Sequence, residues 1–187
     1  MTSKSELRQY FKQLRRAMAY DDVLNKSKIM CDILLNTDIY KNANNIMLYM
    51  PLGNEADTSR IIHRAYVDGK KVAFPLTDSD SGVITPVYVD VDTAFAKGAF
   101  SVMEPEKYTI ANISDVDVVV VPGIVFDANG HRIGFGKGCY DRLLREYQGV
   151  KLGFCYSSQI CDDIPSDEYD ICMDYIITEN GFVECNI

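Results

Sequence analysis

The sequence predicts an α/β fold with a largely parallel β-sheet flanked by helices. Apolar segments typical of strands alternate along the chain with segments of helical periodicity. One of them, DVVVVPG at 117–123, is a continuous β-branched run, as expected of a strand buried on both faces. Because such folds bind ligands at the carboxyl ends of their parallel strands, the segments that follow the strands are the first candidates for function.

The first half of the chain is predicted to alternate helices with short strands. Ser3 and Glu6 have the spacing of a capping box, which predicts a helix over residues 3–19. Its apolar positions recur at helical intervals: Leu7, Phe11, Leu14 and Met18. Asp21 or Asp22 could cap a second helix. The further predicted elements are a strand at 45–50, a helix capped by Asp57 or Thr58 that ends near Asp68, and strands at 71–75 and 82–89.

The second half contains the predicted buried strand and the least regular stretch. Pro86 marks the strand around it as an edge or irregular strand, because proline cannot donate to the ladder. Residues 90–115 are expected to form a long loop with short elements. Further strands are predicted at 150–156 and 174–178. No internal repeat, low-complexity tract or domain linker is evident.

Composition and charge exclude several classes of function. The 187 residues include 47% hydrophobic and 25% charged residues, an ordinary globular balance. A formal net charge of -8 argues against general nucleic-acid binding, which needs basic surface. Six cysteines without a C-x-x-C pair, and only two histidines, make a zinc site unexpected. The chain shows no signal peptide and no apolar stretch long enough for a membrane span, so we expect no membrane partner. Free thiols in such a chain favour the reducing cytoplasm. We expect no nucleic-acid partner, and an acidic chain of this size could act as a monomer.

A row of basic residues occupies one face of the first predicted helix. Lys4, Arg8, Lys12 and either Arg15 or Arg16 are spaced by four, four and three or four residues. This basic stripe has two interpretations. It is either a solvated face opposite the apolar positions or, in part, a cover for an anionic ligand. Spacing alone does not choose between them.

The loop NEADT at 54–58 places two carboxylates just after a predicted strand. In the simpler interpretation, Asp57 or Thr58 caps the following helix and Glu55 is solvated. In the functional interpretation, Glu55 accepts hydrogen bonds from a polar heterocycle at the carboxyl end of the strand.

The stretch 122–144 is the most informative part of the sequence. It makes a predicted turn at DANG and reaches GFGKG immediately before a helix. Gly138 follows Lys137, so this is not a Walker A loop, and the G-x-G-x-G spacing is not the dinucleotide fingerprint. Glycine-rich backbone can nevertheless direct N–H groups at phosphate oxygens, with Lys137 adding a positive charge. A plain tight turn is the alternative. Asp141, in the first turn of the helix, could complement the helix dipole or hold Mg²⁺.

This stretch, PGIVFDANGHRIGFGKGCYDRLL, resembles the signature of the 5-formyltetrahydrofolate cyclo-ligase family. Other landmarks of the family follow in the right order over nearly the full chain. The K-x-x-L-R motif corresponds to Lys4, Leu7 and Arg8, and the E-x-x-T motif to Glu55 and Thr58. The last two landmarks are the pair Glu104–Pro105 and Asp174 before the last predicted strand. One departure is Cys139, where the family usually has the first of two tyrosines. Cysteine is smaller and lacks the reach of a phenol, so this departure bears on the contact that the position makes with the substrate.

The resemblance implies one Rossmann-like, three-layer domain over residues 1–187 and an ATP- and Mg²⁺-dependent enzyme. Its activity would be closure of 5-formyltetrahydrofolate to 5,10-methenyltetrahydrofolate, with release of ADP and phosphate, through phosphorylation of the formyl oxygen. Two alternatives stay open: a non-catalytic folate-binding module, and an enzyme similar to sugar-phosphate isomerases on a related scaffold.

The resemblance also implies a set of site residues. Lys137 would be the electrostatic catalyst, supported by Arg132 and Arg8. The residues around ATP would be Lys4, Ser5, Glu6, Leu7, Arg8, Arg132, Ile133, Gly134, Phe135, Gly136, Lys137, Gly138, Cys139 and Tyr140. The folate would contact Met50, Glu55, Phe135 and Cys139. Asp141 and Asp174 would hold Mg²⁺.

Overall fold

A computed structural model of the protein describes residues 3–98 and 102–186. Within these residues the helices are α1 (Lys4–Arg16), α2 (Tyr20–Asn36), α3 (Asp38–Asn42), α4 (Ser59–Val67) and α5 (Cys139–Leu144). The strands are β1 (Asn45–Met47), β2 (Lys71–Thr77), β3 (Ile84–Tyr88), β4 (Phe95–Lys97), β5 (Met103–Pro105), β6 (Thr109–Ile110), β7 (Val118–Val121), β8 (Val125–Phe126), β9 (Arg132–Ile133), β10 (Val150–Phe154), β11 (Tyr175–Thr178) and β12 (Gly181–Glu184).

An eight-stranded sheet forms the centre of the fold, in the order β12-β11-β10-β7-β1-β2-β3-β6. The five strands from β11 to β2 are parallel, and the outer strands β12, β3 and β6 pair antiparallel. This arrangement confirms the predicted α/β fold with a largely parallel sheet. Pro86 lies in β3, which is not an edge strand because β6 pairs with it outside. The predicted irregular loop contains three short strands, and β12 was not predicted.

Both faces of the sheet are covered, as the β-branched run predicted. All four residues of β7 are buried. Alternate residues serve opposite faces: Val118 and Val120 pack with α2, α3 and α4, whereas Val119 and Val121 pack with α5 and Phe126. The result is a three-layer structure, with helices on one face and α5 with the β8–β9 hairpin on the other.

Helix α1 begins where the sequence predicted and packs on the β8–β9 hairpin. Ser3 and Glu6 form the capping box at its start. Phe11 is buried against apolar side chains of the hairpin and its surroundings: Ile124, Val125, Ile133 and Ile164. The predicted apolar face is partly wrong, because Leu14 is 39% exposed whereas Arg15 is buried. The hairpin therefore lies under α1, beside its basic stripe.

A buried carboxylate closes the turn of the hairpin. Asp127 is fully buried; its Oδ1 accepts hydrogen bonds from the N–H groups of Asn129 (2.9 Å) and His131 (3.0 Å). Its Oδ2 accepts from the N–H of Ile164 (3.0 Å) and lies 2.9 Å from Nδ1 of His131. The predicted turn at DANG thus owes its shape to the side chain of its own aspartate, which also fixes a distant loop.

No helix among residues 3–98 and 102–186 combines the length and the apolar character that crossing a bilayer requires.

We expect Asp127→Ala to lower the free energy of unfolding by about 3 kcal/mol, because several buried donors lose their acceptor. Urea denaturation monitored by circular dichroism measures the change. Asp162→Ala is the matched control: Asp162 is exposed in the loop that Asp127 anchors, and its loss should change stability by less than about 0.5 kcal/mol. Equal effects of the two substitutions would contradict this role of Asp127.

Candidate functional site

Most of the predicted site residues converge beside the carboxyl ends of β1 and β7, and Asp174 is the exception. Four segments contribute: the basic stripe of α1, the loop that holds Glu55 after β1, Gly123 after β7, and the glycine-rich loop 134–138 with the start of α5. This is the position where parallel α/β sheets bind their ligands. The segments are far apart in sequence, so the sheet topology brings them together.

The glycine-rich loop needs its glycines for local conformation and for close approach. Gly136 (φ +97°) and Gly138 (φ +62°) have backbone conformations that other residues rarely adopt. A Cβ atom on Gly134 would lie 3.0 Å from Nη1 of Arg132. Arg8 reaches the loop from α1, where its Nε donates to the carbonyl oxygen of Gly134 at 2.8 Å. The loop is therefore held by cations on either side.

The far side of the loop is tied to the β2–β3 turn by Arg142, which was not among the predicted site residues. Nη1 of Arg142 donates to the carbonyl oxygen of Lys137 (2.9 Å). Its Nη2 donates to the carbonyl oxygens of Gly82 (2.8 Å) and Ser81 (3.2 Å). The main chain of Lys137 is thus fixed, while its side chain is exposed at the surface of the loop.

Arg132 and Asp141 form an ion pair under the loop. Nη2 of the buried Arg132 lies 2.7 Å from Oδ1 of Asp141, and the guanidinium carbon is 5.8 Å from the ring centre of Tyr140. Burial, together with the negative charge of Glu55, raises the pKa of the Tyr140 hydroxyl. Within the described part of the chain, Nε of Arg132 is one of two buried side-chain polar atoms without a hydrogen-bond partner. It is an available donor at the site.

The other such atom is Oε1 of Glu55. Glu55 is 6% exposed, and its Oε2 accepts a hydrogen bond from the N–H of Leu52 at 2.9 Å. Its Oε1 lies 3.3 Å from Nη1 of Arg15. Burial raises the pKa of Glu55, while Arg15 and the Leu52 N–H oppose that effect. The carboxylate is thus buried and turned inward, which contradicts the interpretation of Glu55 as a solvated residue.

Residues other than Glu55 cap the start of helix α4. Oδ1 of Asp57 accepts from the N–H of Ser59 at 2.8 Å, and Thr58 occupies the N-cap position of α4. The Thr58 hydroxyl donates to the carbonyl oxygen of Tyr49 instead of capping the helix. The simpler interpretation of the loop is therefore right for Asp57 and wrong for Glu55.

The basic stripe of α1 contacts the site along its length. Lys4 forms ion pairs with Asp167 and Asp170. Nζ of Lys12 lies 5.3 Å from the ring centre of Phe135, and the guanidinium carbon of Arg15 lies 5.9 Å from the same ring. With Arg8 on the Gly134 carbonyl, every cation of the stripe contacts part of the site, and Lys12 and Arg15 share the Phe135 ring, so the stripe is not a solvated face.

Asp141 and Asp174 are the two carboxylates predicted to hold a metal, and the structure places only Asp141 among the residues around the glycine-rich loop. Asp141 accepts from the N–H of Ile171 (3.4 Å) as well as from Arg132. Asp174 immediately precedes β11, at the amino end of a parallel strand, where it pairs with the side chain of Lys151 (3.0 Å) and accepts from the Lys151 N–H. Asp174 therefore lies apart from the glycine-rich loop.

A different carboxylate, Asp170, accompanies Asp141. It lies next to Ile171 in sequence and pairs with Lys4. Burial raises the pKa of Asp170, but hydrogen bonds from Lys4 and the Asp167 N–H, with the charge of Arg132, lower it overall. The acidic segment SDEYD offered a weak sequence signal for this residue. Among the described residues, no three His, Cys, Asp or Glu side chains are grouped as a metal site.

The remaining predicted residues occupy structural or lining positions. Glu6 belongs to the capping box, Ser5 is exposed, and Leu7 and Ile133 pack in the apolar cluster beneath α1. Three others are partly accessible: Met50 after β1, the half-exposed Phe135, and Cys139, which packs near Gly82.

The buried position of Glu55 makes stability depend on pH. Its pKa is raised in the folded protein, so between the unfolded and folded values the native state binds more protons. The free energy of unfolding therefore falls as pH rises through that interval. We expect Glu55→Gln to remove this part of the slope, measured by urea denaturation from about pH 4.5 to 8. The exposed Glu184 provides the control Glu184→Gln. An unchanged slope in Glu55→Gln would contradict the raised pKa.

Comparison with known proteins identifies the family to which the chain belongs. The family model of the 5-formyltetrahydrofolate cyclo-ligase family matches residues 1–179. The chain is 27% identical to 5-formyltetrahydrofolate cyclo-ligase of Mus musculus over 96% of this chain and 95% of that protein. It is 27% identical to the Saccharomyces cerevisiae cyclo-ligase, over 98% of both chains.

Solved structures show the same fold. The structure of 5,10-methenyltetrahydrofolate synthetase from Aquifex aeolicus superposes with a TM-score of 0.88 at 32% identity, covering 98% of this chain and 93% of that one. The synthetase from Mycoplasma pneumoniae has a TM-score of 0.76 at 23% identity. The family model, the relatives and the shared fold agree, and the chain belongs to the 5-formyltetrahydrofolate cyclo-ligase family, whose members are ligases of folate one-carbon metabolism.

Proposed function

We propose that this protein uses ATP and Mg²⁺ to close 5-formyltetrahydrofolate into 5,10-methenyltetrahydrofolate, releasing ADP and phosphate. The observation that carries the proposal is the buried carboxylate of Glu55, whose Oε1 is charge-paired with Arg15 but accepts no hydrogen bond, in a site that also contains a cation-flanked glycine-rich loop. One feature suits the N–H edge of a pterin, and the other suits a polyphosphate. A sugar phosphate would also occupy the phosphate site, but it has no planar edge of adjacent N–H donors to pair with the Glu55 carboxylate.

The glycine-rich loop and its cations fit the phosphates of ATP. Gly136 and Gly138 have positive φ, a backbone conformation that can turn main-chain N–H groups toward an anion. Lys137 adds an exposed positive charge, and Nε of Arg132 is an unused donor. Because α5 has only six residues, we assign the attraction mainly to these side chains and to Arg8. Lys4 would join them on releasing its two aspartates.

Asp141 and Asp170 would hold Mg²⁺, directly or through water. Both are oxygen donors next to the same basic group, and Mg²⁺ in phosphoryl-transfer sites is commonly held by one or two carboxylates together with substrate phosphates. The cation would supply charge neutralisation for the phosphates. Asp174 has no place in this assignment, since its carboxylate is held by Lys151 elsewhere.

The folate would lie between Glu55 and the glycine-rich loop. Oε1 of Glu55 would accept hydrogen bonds from the pterin, whose plane would contact Met50 and Phe135. Cys139 would line the same space, and its small side chain leaves room that a tyrosine would fill. These contacts orient the formyl group toward the phosphates, which is the main requirement of phosphoryl transfer.

The reaction needs activation because a formyl group on nitrogen is an amide with a poor leaving oxygen. ATP supplies the γ-phosphoryl group to that oxygen. The neighbouring folate nitrogen then attacks the formyl carbon, and a carbon–nitrogen bond forms. The carbon–oxygen bond breaks as phosphate leaves, and the proton of the attacking nitrogen passes to phosphate or water. Lys137, Arg132 and Arg8 would stabilise the charge on the transferring group.

The direct test mixes purified protein, ATP, Mg²⁺ and 5-formyltetrahydrofolate and follows methenyltetrahydrofolate absorbance together with ADP. Product that requires ATP and matches ADP one to one is the expected result. Folate binding without ADP formation would instead support the non-catalytic module.

We expect Lys137→Ala to lower turnover roughly 100- to 1,000-fold, as for the loss of one preorganised electrostatic contact. Thermal stability should change little, because the side chain is exposed. Steady-state kinetics and melting curves measure the two effects. Lys28→Ala, which removes an exposed lysine of α2, is the control. Activity equal to that of the wild type would refute the catalytic role of Lys137.

The magnesium assignment predicts different outcomes for three aspartates. Asp141→Asn and Asp170→Asn should raise the Mg²⁺ concentration for half-maximal activity roughly ten- to hundredfold, since a ligand or its support is weakened. Asp174→Asn should leave it unchanged. Titration of activity with Mg²⁺ at saturating ATP gives the comparison. A raised Mg²⁺ requirement only in Asp174→Asn would reverse the assignment.

A further inference from the structure

We infer that Arg15 is a positioning residue of the folate site: it holds Glu55 in place as a carboxylate while leaving Oε1 open to the pterin. The inference rests on the proposed role of Glu55 and extends it to a residue outside the family landmarks that the sequence displays. Arg15 lies in the last turn of α1 and is only 7% exposed. A buried guanidinium requires specific partners.

Arg15 is anchored at the end of β7. Its Nη1 donates a hydrogen bond to the carbonyl oxygen of Gly123 at 3.2 Å. The same carbonyl oxygen accepts from Nε2 of the buried Gln159 at 3.0 Å. The guanidinium is thus fixed by the sheet, independently of Glu55.

Arg15 interacts with Glu55 by charge attraction, and Oε1 of Glu55 stays available to accept a hydrogen bond. Its Nη1 lies 3.3 Å from Oε1, close enough for strong charge attraction, yet Oε1 has no hydrogen bond in the structure. Oε2 is occupied by the Leu52 N–H. Charge compensation without a hydrogen bond leaves the lone pairs of Oε1 for another donor. A ligand with adjacent N–H groups, such as a pterin, matches that open acceptor.

The electrostatic surroundings of Glu55 make Arg15 the main group that favours its ionised form. Two tyrosines, Tyr49 and Tyr140, lie near Glu55, and Arg132 lies beside Tyr140. The Tyr49 hydroxyl donates to the carbonyl oxygen of Ala56 and does not bond Glu55. Burial raises the pKa of Glu55, and the charge of Arg15 is the main opposing influence. Without Arg15, the carboxyl would hold its proton to higher pH and lose its capacity to accept two N–H bonds.

The test compares Arg15→Gln with the charge-conserving Arg15→Lys and the control Arg16→Gln, which removes the neighbouring exposed arginine. The Glu55 carboxyl is titrated by ¹³C NMR in the free protein, and kcat and KM for 5-formyltetrahydrofolate are measured against pH. In Arg15→Gln we expect the Glu55 midpoint to rise by about one pH unit or more. KM at neutral pH should rise about tenfold, with kcat changed much less.

Further results separate positioning from a merely structural role. The acid limb of the pH profile of kcat/KM should shift together with the titration midpoint of Glu55. Arg15→Lys should restore most of the affinity for 5-formyltetrahydrofolate. Arg16→Gln should leave both the Glu55 midpoint and KM unchanged. In a Glu55→Gln background, Arg15→Gln should have no further effect on KM, because the residue it acts through is gone.

An unchanged Glu55 midpoint in Arg15→Gln would overturn the inference, and so would an equal effect on KM with and without Glu55. If the wild type forms no product, the proposed function fails. The inference is then still decided by the carboxyl titration and by the calorimetric Kd for 5-formyltetrahydrofolate in the same variants.

Discussion

The hydrogen bonds of one buried carboxylate organise the part of the molecule on which the site is built. Asp127 closes the β8–β9 hairpin and binds the N–H of Ile164 across a large sequence separation. A carboxylate tolerates full burial only when its oxygens are well bonded, and here both oxygens are. Since β9 leads directly into the glycine-rich loop, the position of that loop depends on the hairpin and hence on Asp127.

The same hairpin determines where the cations of α1 lie. Phe11 and Leu7 pack against it, which fixes the rotation of the helix about its axis. Residues spaced by three or four then form a row on the adjacent face, and Lys4, Arg8 and Arg15 each contact a different segment of the site. A single apolar contact surface therefore aligns a set of charges drawn from successive turns of the helix.

Local charge at the site opposes the charge of the whole protein. The formal net charge is -8, but the clustered arginines and lysines around the glycine-rich loop create a basic region within it. Such a region attracts a small polyanion without making the surface suitable for nucleic acid. The carboxylates that balance these cations, Asp141 and Asp170 among them, are the same groups that are suited to a divalent cation. Charge balance and the proposed metal chemistry thus use the same residues.

Sequence alone determined the features that depend on neighbouring residues. The capping box of α1, the strand at Val118–Val121 and the turn at DANG follow from local hydrogen bonding and side-chain shape, and each lies close to its predicted place. The glycines of the loop also follow from local backbone conformation, because Gly136 and Gly138 need positive φ. The family resemblance rests on this same contiguous stretch, since residues that are adjacent in the chain form a motif that the sequence displays directly.

Only the tertiary structure decided which side chains meet. Spacing allowed either Arg15 or Arg16 to continue the basic stripe, and burial against Gly123 and Glu55 selected Arg15. The tertiary structure also gave two nearby aspartates different partners. Asp170 pairs with Lys4, which is 166 positions away in sequence, whereas Asp174 pairs with Lys151. These choices depend on the directions in which distant segments approach one another. No local pattern encodes those directions, because they are fixed by the packing of the sheet, the hairpin and α1.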